Sequence, residues 1–274
     1  MSENVLVDLE HVQITLLLPL WGRAVETQKR KPLLVDKFAA EIITKLNYDF
    51  TTIAKNTHPV TQFSWIARSI HIDNTIKEFL IKYPDAAIVN IGCGLDTTFE
   101  RVDNGRLHWY DLDLPAVIEL RKNFIPEGER RKFISSSFLN DSWFGELRAN
   151  SGVLFIAAGV LYYFIQDEIK DIFNKIALCF PGSEIVFDAA SSAGIKIANK
   201  KVIQNSGLDE NSFLKWGLDA ASEIPGWNNN IEIIREYPMF LRMTKGSSLK
   251  NKIAAFTSDH YKIIYMVHLR FLKI

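Results

Sequence analysis

The stretch 86–94 constrains this chain more than any other. Ala86-Ala87-Ile88-Val89-Asn90-Ile91 is short, apolar but for one asparagine, and closed by Gly92. A run of that length between Pro84 and a glycine reads as a strand buried on both faces, the kind found in parallel sheets. Parallel neighbours need crossover connections, usually helices. Further strands are expected at 107–111, 132–136, 153–158, 184–189, 231–237 and 263–271, with helices between them at 96–102, 115–124, 141–150 and 166–180. Pro115 suits a first helical turn, where its missing N–H costs nothing. Pro181-Gly182 marks a turn. The alternation predicts an α/β fold, a doubly wound sheet with helices on both faces.

The first third is helical in pattern. Val35, Phe38, Ala39, Ile42, Ile43 and Leu46 recur at helical spacing, and so do Phe63, Ile66, Ala67, Ile70, Ile76, Phe79 and Leu80. The segment 193–230 breaks the strand–helix rhythm and holds Trp216, Pro225, Trp227 and three successive asparagines. It reads as an inserted helical cap beside the C-terminal strand ends, where ligands bind in such sheets. The alternative is a long connection that packs its tryptophans on the core. One domain over 1–274 is therefore expected: an N-terminal helical part at 1–84, a core at 85–192 and 231–274, and the cap at 193–230.

Composition narrows the partners. Lys plus Arg equal Asp plus Glu, at 32 each, so there is no basic excess to propose nucleic acid. Cys93 and Cys179 are too few for a disulfide framework or a metal cluster. The histidines are scattered, so no metal is expected. The N-terminus is unlike a secretory signal, and the apolar run 14–20 is too short to span a bilayer. A cytoplasmic protein with no membrane partner is the expectation.

Gly92-Cys93-Gly94 sits between a strand and a helix, where glycines let backbone turn tightly and approach a ligand. Thr97 stands where a third glycine would complete the dinucleotide pattern. Asp111 and Asp113 follow at the end of the next strand, at a distance suited to ribose hydroxyls. Dinucleotides and S-adenosylmethionine both fit this spacing. Asp96, at the expected helix start, would repel a pyrophosphate. It suits a donor whose sulfonium and ammonium are cationic. The other role for Asp96 is an N-cap.

These residues, together with Thr97-Thr98-Phe99-Glu100-Arg101 and Trp109-Tyr110-Asp111-Leu112-Asp113-Leu114-Pro115, resemble the leucine carboxyl methyltransferase family. The nearer likeness is to its bacterial branch, which contains the tetracenomycin polyketide-synthesis O-methyltransferase. Pro19-Leu20-Trp21-Gly22-Arg23-Ala24 and Ala158-Gly159-Val160-Leu161-Tyr162-Tyr163 also take part. The resemblance implies a Rossmann-like class I fold with a seven-stranded, mostly parallel sheet, and S-adenosylmethionine as cofactor. It implies that Arg68 pairs with the donor's carboxylate. Gly92, with Gly94 and Asp96, lies against the donor. Asp113 holds the ribose, with Asp111 as competitor. Ser137 and Phe138 flank the adenine. Ala158 falls where eukaryotic relatives carry a glutamate, which favours a small-molecule acceptor over a protein. Each residue has a plainer role open to it: Arg68 as a surface arginine, either aspartate as a helix cap, Arg23 as an ion-pair partner of Glu26 rather than a substrate ligand.

Methyl transfer is an in-line displacement on an already activated donor, so the protein supplies orientation and excludes water. A carboxylate acceptor needs no base, whereas a phenol or alcohol can need one. Tyr162, Tyr163 and His260 are the candidates for that role, and Trp216 a candidate acceptor contact. The function expected is O-methylation of a carboxylate or phenolic hydroxyl on a small organic molecule. The alternatives are an NAD-dependent oxidoreductase and a non-catalytic nucleotide-binding protein of the same fold.

Overall fold

The computed structural model describes residues 5–6, 11–148, 151–206, 208, 210–241 and 249–273. The expected strands form one 7-stranded sheet. In chain order they are β1 Ala87–Ile91, β2 His108–Asp113, β3 Arg131–Ser135, β4 Val153–Ala157, β5 Glu184–Ala189, β6 Ile231–Pro238 and β7 Tyr265–Phe271. Across the sheet the order is β3-β2-β1-β4-β5-β7-β6. Neighbours from β3 to β5 are parallel, and β7 runs antiparallel to both β5 and β6. Chain order reverses between β1 and β4, which opens a crevice at their C-terminal ends.

Successive side chains on a strand face opposite ways. In β1, Ala87, Val89 and Ile91 enter one apolar layer while Ile88 enters the other. In β4, Val153, Phe155 and Ala157 divide from Leu154 and Ile156 in the same manner. Both faces are covered, which is why these strands read as continuous apolar runs.

The longer helices are α1 Leu17–Thr27, α2 Lys37–Lys45, α3 Pro59–Lys82, α4 Pro115–Lys122, α5 Gln166–Cys179, α6 Ser192–Ala198 and α7 Leu249–His260. α5 buries Ile169, Ile172, Phe173, Ile176 and Ala177, a stripe at helical spacing. Proline stands in the first turn of α3 and of α4. No described helix is long and apolar enough to cross a membrane.

Several expectations change. The helix at 96–102 is confined to Phe99–Val102; in the loop before it, Asp96 turns its carboxylate onto the Thr98 N–H and Asn90. The helix at 141–150 is a single tight turn, Asp141–Glu146, and residues 149–150 lie outside the described residues. Of the apolar residues at helical spacing in 35–46, Val35 and Phe38 are about half exposed, while Ala39, Ile42 and Leu46 are buried. α7 lies in 238–262, where the strand–helix reading assigns no element.

The segment 192–230 divides in two. Its first half, α6 and the wide turn Asn199–Ile203, borders the crevice. Its second half packs Trp216, Leu218, Ala221, Ile224 and Trp227 on the core.

Candidate active site

A cavity of about 930 Å³ opens at the C-terminal ends of β1, β2 and β4. That is near the top of the ~300–1,000 Å³ range of small-molecule sites. Its floor is the glycine loop. Gly92 has φ +60°, and a Cβ there would stand 2.4 Å from Val160 Cγ2. Gly94 has φ +47°. Its N–H donates to Asp113 Oδ2 at 2.8 Å, and its carbonyl accepts from Arg121 Nη1 at 2.8 Å. The loop is thereby fastened to the end of β2.

Asp113 lines the cavity. Its other oxygen accepts from the Leu114 N–H at 2.8 Å. Burial raises its carboxyl to about 6, against the lowering effect of those two N–H groups and of Arg121. Asp111 does not reach the cavity. It is fully buried, and four donors surround it: Asn90 Nδ2 at 3.1 Å, Trp109 Nε1 at 2.8 Å, Arg121 Nη2 at 2.9 Å and Arg131 Nε at 2.9 Å. The two aspartates differ in depth: Asp111 is a core ion-pair partner, and Asp113 lines the cavity.

Asp96 lines the cavity and is half-buried. Its Oδ2 accepts from Thr98 N–H at 3.0 Å and from Asn90 Nδ2 at 3.3 Å. Burial opposes its charge, but the guanidinium groups of Arg23 and Arg101 and the Thr98 hydrogen bonds outweigh that and hold its carboxyl at about 2. Asn90 thus bridges two carboxylates with one amide. An acid at this position would be a third carboxylate among them.

Arg23 is buried and does not pair with Glu26. Its Nε donates to Asp36 Oδ2 at 2.9 Å and its Nη2 to the Leu95 carbonyl at 3.2 Å, with Asp96 Oδ1 3.9 Å away. Glu26 instead takes Lys29 and the Leu33 N–H. Asp36 also accepts from Arg101 and from Thr97 Oγ1, so helix α1, the start of α2 and the glycine loop share one ionic junction.

Arg68 is no surface arginine. It projects from α3 into the cavity wall, buried. Its Nη1 donates to Asp188 Oδ2 at 3.0 Å and to Tyr162 OH at 3.3 Å. Asp188 is fully buried at the end of β5, and its other oxygen accepts the Gly159 N–H at 2.6 Å. Among the described residues, Nε and Nη2 of Arg68 have no hydrogen-bond partner, and Arg68 lines the cavity. Two donors of one planar fork are left for a ligand, a match to a carboxylate.

Ser137, Phe138 and Ala158 also line the cavity. So do Tyr162 and Tyr163. Burial, with Asp188 alongside, pushes the Tyr162 phenol well above its ordinary value despite Arg68. Burial likewise raises Tyr163, whose hydroxyl donates to Thr15 Oγ1 at 3.0 Å. Both are neutral at pH 7 and unsuited to take up a proton as bases. Two candidates fall outside the site. His260 is exposed at the end of α7, stacked on Phe256. Trp216 is buried against Phe187 and Trp227 and does not line the cavity, because its ring completes the core below the cap.

Polar cavity residues that no sequence motif singles out include His58, Thr15, Lys201 and Lys215. His58 caps α3, with its Nδ1 accepting from Val60 N–H at 3.3 Å. Thr15 holds Tyr163. Lys201 and Lys215 come from the cap side. Asp188 is not singled out by a motif either, although an acid inside the apolar run Ile185-Val186-Phe187-Asp188-Ala189 is itself a signal, because a buried charge needs a partner.

A leucine carboxyl methyltransferase family model matches residues 17–177. The tetracenomycin polyketide synthesis O-methyltransferase TcmP of Streptomyces glaucescens is 27% identical over 226 residues, covering 80% of this chain and 82% of that protein. The S-adenosyl-L-methionine-dependent methyltransferase dpfgK of Gibberella zeae is 24% identical over 255 residues, covering 84% and 85%. Among solved structures, a DUF574 family protein from Streptomyces avermitilis superposes with a TM-score of 0.58 at 10% identity, covering 91% of this chain and 96% of that one. A candidate methyltransferase from Thermobifida fusca gives 0.59 at 14% identity, covering 92% and 94%. These structural likenesses concern the fold.

Proposed function

The chain belongs to the leucine carboxyl methyltransferase family and is an S-adenosylmethionine-dependent methyltransferase; from that premise we propose that it methylates a carboxylate oxygen of a small organic acid. The observation that carries the choice of acceptor is the character of the cavity. Its two half-buried tyrosines are held neutral, and the acceptor side presents Lys201 and Lys215. A carboxylate is ionised at neutral pH, is drawn by those cations, and needs no base.

The residues fit the donor. Arg68 would hold its carboxylate through Nε and Nη2, with Asp188 fixing the guanidinium. Asp113 would accept from the ribose hydroxyls. Asp96, ionised at any ordinary pH, suits the cationic part of the donor. Phe138 and Ser137 would flank the adenine, and Gly92 and Gly94 admit close approach of the backbone. Arg23 would act on the loop, through Leu95 and Asp96, rather than on the acceptor. When bound, the donor supplies an activated methyl group. The chain's own part is alignment and exclusion of water.

The ribose hydroxyls donate best to an ionised Asp113. With its carboxyl at about 6, donor affinity should be full above that pH and fall as pH drops through it, by up to about tenfold per unit. Calorimetric titration with S-adenosylhomocysteine between pH 5 and 8 checks this, and Asp113→Asn should flatten the profile. A flat profile in the unaltered protein would remove Asp113 from the ribose.

The acceptor reading is tested by chemistry of the product. A panel of aromatic and aliphatic carboxylic acids and phenols is incubated with methyl-labelled donor. Methyl esters release labelled methanol in mild alkali, and phenolic ethers do not. Alkali-labile label is the expected result; label stable to alkali would move the acceptor to a phenol or a nitrogen.

A further inference from the structure

α7 carries its large apolar residues on the side away from the protein. Leu249, Ile253 and Phe256 recur at i, i+4 and i+7, and they are 74%, 58% and 72% exposed. The opposite face buries Ala255 and Ser258, and Ala254 and Thr257 line the cavity. An ordinary surface helix has the reverse arrangement. A contiguous apolar stripe of this kind marks a face that something covers.

The charge around it points to what. At 100° per residue, Lys250 and Lys252 flank the stripe on either side. On the cap side of the same cavity stand Lys196, Lys200, Lys201 and Lys215, beside a 40% exposed Ile197. All six lysines are exposed, and no carboxylate among the described residues lies within ion-pair distance of any of them. The one acid of α7, Asp259, turns inward, its Oδ1 accepting the Phe240 N–H at 3.0 Å. The formal charge of the chain is zero, so this rim is a local cationic excess.

We propose that α7 is an interfacial helix, which docks the mouth of the cavity on an anionic lipid surface. Leu249, Ile253 and Phe256 enter the boundary between headgroups and acyl chains. The lysines on both flanks meet the phosphates, the arrangement of helices that lie in a bilayer interface rather than cross it. A second copy of the chain fits less well, because a two-fold contact through this face would bring together two stripes that are both flanked by lysines. The absence of a spanning helix, which led to the expectation of no membrane partner, bears only on crossing. Docking would lay α7, whose Ala254 and Thr257 line the cavity, along the lipid boundary.

The test is flotation of the full chain with vesicles of phosphatidylcholine alone and with about 30% phosphatidylglycerol. The protein should rise with the anionic vesicles and not with the neutral ones, and less so as salt is raised. Phe256→Asp should reduce partitioning at least tenfold. Lys250→Gln with Lys252→Gln should reduce it about 30-fold, from roughly fivefold per lysine. These side chains are exposed, so unchanged melting and S-adenosylhomocysteine binding should confirm intact variants. Three results overturn the proposal: no flotation with anionic vesicles at low salt, equal flotation of Phe256→Asp, or a dimer in sedimentation velocity that Phe256→Asp dissolves without any vesicle binding. Methyl transfer does not enter the readout, so the outcome is independent of the acceptor.

Discussion

Replacing Arg68 with alanine is expected to weaken S-adenosylmethionine binding by about 10²–10⁴-fold and to lower the melting temperature by roughly 10 °C. The first effect follows from losing two charge-assisted hydrogen bonds of about 1.5–3 kcal/mol each. The second follows from Asp188, which is fully buried and has Arg68 as its cationic partner. Removing one member of a buried pair costs about 3–5 kcal/mol, because the other charge is stranded, and each kcal/mol moves the midpoint of a chain this size by about 2–4 °C. Sequence alone suggests that this variant folds normally; the Asp188 contact changes that expectation. The two roles separate in the double variant Arg68→Ala with Asp188→Asn. It should regain much of the lost melting temperature and none of the donor affinity. Calorimetric titration and thermal melting of both variants give the answer. Donor affinity restored in the double variant would mean that Arg68 acts on the fold alone.

The two aspartates of β2 should part company just as clearly. Asp111→Asn is expected to destabilise the protein by about 3–5 kcal/mol. All four neighbours of Asp111 are donors, two on each oxygen. An asparagine can accept on only one side, so its NH₂ must face either the two arginines or the pair Asn90 and Trp109. Asp113→Ala loses two hydrogen bonds to backbone N–H groups at the protein's edge, a loss of about 1–2 kcal/mol. It should cost donor affinity about 10²-fold or more. Urea unfolding and donor titration of the pair decide the matter. A stable Asp111→Asn that no longer binds donor would reverse the assignment.

Much of this architecture is legible in the residues themselves. The parallel strands declare themselves because burial on both faces leaves unbroken apolar runs, and the glycine loop because its backbone turns through positive φ. The choice between Asp111 and Asp113 was not legible. They lie two apart and face the same side of the sheet, so alternation cannot distinguish them. What separates them is position along the strand and the arrival of Arg121 and Arg131 from α4 and β3. Trp216 misled because a tryptophan in an inserted segment can face a pocket or a core, and only the packing of Trp227 and Phe187 decides. α7 escaped because its period points outward, where no core pattern is sought. Arg68, Asp188 and Tyr162 meet from three distant parts of the chain, and no local spacing announces such a contact.

The placement of β7 has a consequence for how the molecule is made. β6 pairs with β7, and β7 in turn with β5. During synthesis β6 therefore emerges with no partner at hand, and β5 presents an open hydrogen-bonding edge. Both wait for residues 265–271, which must insert between them. Long-range pairing of this kind folds slowly and leaves unpaired strand edges exposed in the interval. Asp188, which steadies Arg68, lies on β5 and pairs in register with Met266 of β7. The wall of the cavity that holds Arg68 is thus next to the last strand to join, and a half-made chain presents sticky edges before the sheet closes.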